Sequence, residues 1–167
     1  MKIDSDCIGA KLNGTASKDD RAWDYTGGDQ NQYSYRTWKP DSSLSPNQDA
    51  LLVSSKIDFT HGGVDDHTVL LLVFDRTGAL IQAEADMQLN LVEKKHGMYK
   101  TSIKTVGSGV VTGTQAQITS AIFDALTAGL FGLDEDKYDV SGDHSPADFP
   151  NMVKVNMDIF AGCVQKD

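Results

Sequence analysis

Long apolar runs, cysteines, positive charge and recognisable catalytic motifs are all scarce in this chain. Each scarcity excludes something. Nowhere in the 167 residues is there a run of about 18 apolar residues, so no segment reads as a membrane-spanning helix. The opening MKIDSDCIGAKL lacks the apolar core of a secretory signal, so the chain reads as one that stays in a cytoplasm or has lost its signal. Two cysteines, Cys7 and Cys163, are too few for a disulfide scaffold, and a chain of this length can bury a core without one. Three states of the pair are open. They can close an intrachain loop of about 155 residues, worth roughly 4–5 kcal/mol in the chain-entropy model. They can remain two inert buried thiols, or they can cross-link subunits. Positive charge is in deficit: 15 Lys and Arg stand against 24 Asp and Glu, a net charge of −9. That balance aids solubility and disfavours non-specific nucleic-acid binding over most of the surface.

Enzyme signals are equally thin. The Gly-rich GSGVVTGT before a helix sits where phosphates bind, but it lacks both the GK[ST] of a P-loop and a GxGxxG, and reads as a plain loop. His61, Asp65, Asp66 and His67 in HGGVDDH carry metal-ligating side chains without a ligand spacing, and read as a polar turn. DEDKYDVSGDH lacks the glycine and glutamate that a calcium loop needs at its sixth and twelfth positions. No nucleophile elbow or HExxH occurs, and two distant cysteines do not suggest thiol catalysis. The sequence assigns no catalytic residue, metal or cofactor, and reads as a non-enzyme.

What is present is a patterned, folded chain, 40% apolar and 23% charged. Residues 13–49 are polar and turn-rich but hold Trp23, Tyr25, Tyr33, Tyr35 and Trp38. They read as an extended aromatic arm or weak hairpin. From residue 50 to 106 an antiparallel meander is expected. Leu51, Val53, Ile57 and Phe59 share one face of the first strand. TVLLLVF, 68–74, is apolar on both faces, as a central strand covered on each side would be. Over 81–91, Ile81, Ala83, Ala85, Met87, Leu89 and Leu91 alternate with a polar row. Thr114 and Gln117 form a capping box that starts a helix over about 115–131, ending at Gly132. Its ridge of Ile118, Ile122, Leu126 and Leu130 runs beside the small residues Ala121, Ala125 and Gly129, with Asp124 as the one charge. After an acidic loop over 133–151, the alternation of Val153, Val155, Met157 and Ile159 predicts a last strand over 152–160. The expected fold is a single α+β domain with a mainly antiparallel sheet of about six strands, one principal helix and the N-terminal arm.

Against the acidic background, KKHGMYKTSIKTV at 94–106 gathers Lys94, Lys95, Lys100 and Lys104 with no carboxylate. If this strand pairs with 81–91, Lys100 and Lys104 fall on the wetted face beside its acidic row. They then serve either as cross-strand charge pairs or as a face that meets phosphates. The near-chargeless helix and aromatic arm suit self-assembly, which makes Ile118, Ala121, Ile122, Ala125, Leu126, Gly129, Trp23 and Trp38 interface candidates. The order of strands ending in MYKTSIKTV, a polar link, then TGTQAQITSAIFDALTAGL resembles the coat proteins of small single-stranded RNA bacteriophages over about 50–131. In that family a curved antiparallel sheet faces the genome and helices interlock two subunits. Those coats usually end in helix, where a strand is expected here. The resemblance implies a homo-oligomeric capsid protein of a virion or virus-like particle, assembled in host cytoplasm. It places Lys56, Lys100 and Lys104 toward RNA, with Lys94 and Lys95 alongside, and implies no membrane partner. A phage tail or head accessory subunit shares these features, and a lectin-like domain using the aromatic cluster is the alternative from another class.

Overall fold

The computed structural model describes residues 1–11, 21–26, 29–38, 50–61, 64–95, 98–134, 137–139 and 148–166. Over 21–26, 29–34, 38, 58–61, 64–65, 94–95, 98–101, 138–139 and 148–149 it describes the backbone path alone. The fold is α+β with a mainly antiparallel sheet. Its elements are β1 (Lys2–Ile3), α1 (Ser5–Lys11), β2 (Arg21–Thr26), β3 (Asp29–Trp38), β4 (Leu51–His61), β5 (Val64–Phe74), β6 (Leu80–Lys95), β7 (Met98–Thr112), α2 (Gln115–Phe131), β8 (Tyr138–Asp139), α3 (Asp148–Gly162) and β9 (Val164–Gln165). Strands β2 to β7 lie in sequence order in one sheet, and β8 adds to β6 at Val92 and Glu93.

The inward row is apolar because each strand alternates. Val53 and Ile57 on β4, Leu70, Leu72 and Phe74 on β5, and Ala85, Met87 and Leu89 on β6 are fully buried. Helices α2 and α3 cover this row with Ile118, Ile122, Leu126, Val153, Met157 and Phe160. The capping box forms as expected: Gln117 N–H donates to the Thr114 hydroxyl, and Thr114 N–H to the Gln117 side-chain oxygen. Layer spacing is set at Gly129, where a Cβ would run into the Val106 side chain on β7. At the β5–β6 turn, Asp75 Oδ1 accepts from the Thr77 hydroxyl (2.6 Å) and from Thr77 and Ala79 N–H. The Thr77 hydroxyl bond, helped by the two N–H bonds and the Arg76 charge, holds this carboxyl below the ordinary carboxylate range despite slight burial.

Several expectations are corrected. Residues 152–160 belong to a helix, not a strand. Val153 and Met157 are four apart, a spacing that satisfies a strand and a helix alike. Burial decides between them, because Asn156 is 1% exposed and Val155 47%, the reverse of the alternation. Buried Asn156 takes a hydrogen bond from the Ser55 hydroxyl of β4 at 3.2 Å, and Pro150 falls in the first turn, where no N–H is needed. There are thus two long helices rather than one. The HGGVDDH segment is mostly strand: β4 runs to His61 and β5 starts at Val64. Asp66 is 2% exposed and accepts Asn90 N–H at 2.7 Å. GSGVVT of the Gly-rich segment is also strand, with Gly109 at φ +67° turning a bulge in which the Ser108 hydroxyl accepts Ala85 N–H. The arm's described residues form the β2–β3 hairpin, joined to the sheet through β3–β4 pairing.

The chain's two ends meet. β1 pairs with β9, Asp4 N–H donates to the Cys163 carbonyl at 2.9 Å, and Gln165 donates to the Asp4 carboxylate at 3.0 Å. Cys7 of α1 is bonded to Cys163 across 156 residues, which decides among the three states of the pair.

Three outcomes are expected. Gly129→Ala pushes α2 off β7 and costs about 1–3 kcal/mol in urea unfolding, and Val106→Ala in the same chain recovers part of it. Replacing Cys7 and Cys163 together by Ala lowers stability by about 2–5 kcal/mol, with non-reducing electrophoresis reporting the lost bond. Because the Asp75 pKa is depressed in the fold, its contribution is complete above the unfolded value and is lost as pH falls through the folded one. Asp75→Asn therefore lowers the urea midpoint at neutral pH, and the gap from wild type closes in acid.

Candidate interaction surfaces

Two features of the sheet remain once α2 and α3 are in place. The first is an edge. β7 is 15 residues long, and among the described residues its only strand partner is β6. Backbone N–H and C=O groups along an unpaired edge are a template for another strand, and monomeric proteins normally blunt them. The bulge at Ser108 and Gly109 interrupts this edge, but the ten residues from Met98 to Gly107 precede it without a break. Ile103 is 67% exposed and Val110 60% exposed on this strand, and Phe131 at the end of α2 is 82% exposed.

The second feature is the sheet's outer face, which no described helix covers. Cross-strand register lays it out in rows. One row is Ser34, Lys56, Val69, Asp86 and Gly107; the next is Arg36, Ser54, Leu71, Glu84 and Val110. Val69, Leu71 and Val73 form an apolar column on central β5, half-buried or, at Leu71, exposed. Their inward neighbours Leu70, Leu72 and Phe74 are fully buried. The sequence pattern of a strand covered on both faces is thus met on one face only.

The two candidate lysines whose side chains are described lie on opposite faces. Lys56 is exposed on the outer face. Lys104 pairs with Leu89 and Ser102 with Leu91, so both lie on the helix side, contrary to the expected placement on the wetted face. Register decides this, since a one-residue slip exchanges the faces of a strand. Lys104 stays exposed because it lies on an edge strand near the C-terminal end of α2. There it lines a cavity of about 500 Å³ with Gly129, Leu133, Asp134 and Lys137. Nearby, Lys137 lies 3.9 Å from Glu93, which also accepts the Ser102 hydroxyl at 2.8 Å. Lys100 pairs with Glu93 along the backbone, and Lys94 and Lys95 occupy the next two register positions. The side chains of these three lie outside the described residues.

Of the helix positions, Ile118, Ile122 and Leu126 are fully buried in the chain's own core, so they are not available to a second subunit. Ala121, Ala125 and Gly129 are half-buried, with Gly129 against Val106. The backbones of Trp23 and Trp38 are in β2 and β3, but their side chains lie outside the described residues. Tyr35 of the same cluster is docked on the core. It is 5% exposed, edge-on to Phe160 at 5.2 Å, and its hydroxyl is 2.5 Å from that of Ser5. Among the described residues no group of three His, Cys, Asp or Glu is placed to hold a metal, and no helix is long and apolar enough to cross a membrane.

Compared with known protein families, with characterised proteins and with solved structures, the chain matches none.

Proposed function

We propose that this chain is a non-enzymatic structural subunit that assembles with copies of itself, as the coat of a phage or virus-like particle does. The observation that carries the reading is the long β7 edge, with the apolar Ile103 and Val110 turned to solvent. A strand of this kind is costly to leave unpaired and suited to extension by another chain. The two helices that close the chain give it the sheet-then-helix order of the coats it resembles. The departure is in their use: α2 spends its apolar ridge on its own sheet, so assembly falls to the strand edge and outer face. The Cys7–Cys163 bond suits a virion surface better than a reducing cytoplasm.

Nucleic-acid contact belongs, in this reading, to the tip of the β6–β7 hairpin. Lys94, Lys95 and Lys100 occupy consecutive register positions there. The outer face does not suit phosphates, because Glu84 and Asp86 offset Arg36 and Lys56. The lectin-like alternative keeps less of its basis, since Tyr35 is used as a core anchor.

Size-exclusion chromatography with light scattering, with absorbance read at 260 and 280 nm, tests the proposal. The expected result is a species much larger than the 18.1 kDa chain. Ile103→Lys with Val110→Lys is expected to shift it toward the monomer while leaving the circular dichroism unchanged. Excess absorbance at 260 nm assigns RNA as cargo. A chain that stays at 18.1 kDa at all concentrations overturns the reading.

A further inference from the structure

Among the residues whose side chains are described, the outer face is divided by charge about its apolar column. On one side of β5 lie Arg36 of β3 and Lys56 of β4; on the other lie Glu84 and Asp86 of β6. Lys56 and Asp86 flank Val69 in one row, and Glu84 flanks Leu71 in the next. Arg36, Lys56 and Asp86 are exposed and Glu84 half-buried. A face ordered positive, apolar, negative is complementary to itself under one operation. A two-fold axis running along β5, midway between two facing sheets, places the basic half of each over the acidic half of the other. Leu71 then meets its own copy, Lys56 meets Asp86 of the second copy, and Ser54 meets Glu84. An axis across the strands would instead bring Lys56 onto Lys56. Isologous contacts of this kind generate closed dimers.

We infer that the outer face is the contact for a second copy of this chain, packed sheet to sheet about β5 through Leu71 and the Lys56–Asp86 pairs. This rests on the self-assembly reading and names a contact within it, separate from the β7 edge. It also accounts for β5, whose sequence is apolar on both faces while the chain's own helices cover one. Facing sheets pack about 10 Å apart with strands within about 30° of each other, which keeps residues near β5 opposed despite the twist.

Charge exchange tests it. Lys56→Asp sets Asp against Asp86 of the other copy, and Asp86→Lys sets Lys against Lys56. Each alone is expected to weaken dimerisation about tenfold or more, measured by sedimentation equilibrium at low salt, because like charges then face each other. The double exchange Lys56→Asp with Asp86→Lys restores the pairing in reversed sense, and dimerisation returns to near the wild-type value. Leu71→Arg, at a position already exposed, should weaken it in every background. Single exchanges that leave a wild-type assembly unaffected overturn this contact and leave self-assembly standing. So does a double exchange that fails to restore what the singles lose. A wild-type chain that is monomeric throughout overturns both.

Discussion

Burial of one face of the sheet beneath α2 and α3 is the interaction from which the rest of the structure follows. Fully buried side chains from β4, β5 and β6 meet Ile118, Ile122, Leu126, Val153, Met157 and Phe160 in a single core. At roughly 1.5–3 kcal/mol for each large apolar side chain removed from water, this is the dominant favourable term. The separation of the layers is fixed where Gly129 lets α2 come down onto Val106. Any side chain there would lift the helix from the strand that ends just before it.

That same packing determines what is left over. Two helices cover one face, so the outer apolar residues of β5 have no described cover, and the last strand of the meander ends the sheet with an edge unpaired among the described residues. An apolar column flanked by charges of opposite sign and a long edge, unpaired among the described residues, are the features that the proposed self-assembly would use. Chain closure is solved separately. β1 and β9, the Asp4 hydrogen bonds and the Cys7–Cys163 bond tie the two ends together beside α1.

Polar groups refine the core. Asn156 lies in the buried stripe of α3 because Ser55 on β4 supplies a hydrogen bond, and Asp66 is buried near the end of β5 because it takes the N–H of Asn90. Both cost free energy to bury, and a partner far away in sequence offsets part of it; the Asn156 Nδ2 group has no partner among the described residues. The Ser55–Asn156 bond favours one placement of α3 on the sheet over others that are equally apolar, and the Asn90–Asp66 bond favours one register of β5 against β6.

Much of the fold is readable without coordinates, and where it is not the reason is physical. Helix α2 and its capping box are specified within about four residues of each other, and the strands of the meander are specified by a period of two. These signals are local, so the sequence determined them alone. The structure decided whatever depended on a distant partner. The spacing of Val153 and Met157 fits a strand and a helix equally, and the burial of Asn156 against Ser55 with Val155 left exposed separates them. The face on which Lys104 lies depends on a register in which it opposes Leu89, so it falls on the helix side and not on the wetted face that its alternation suggested. The cover missing from β5 shows only once both helices are seen on the same side. The sequence by itself determined that β5 is apolar on both faces; the tertiary structure decided that, among the described residues, only one of them is covered, because α2 and α3 pack together on the same side of the sheet.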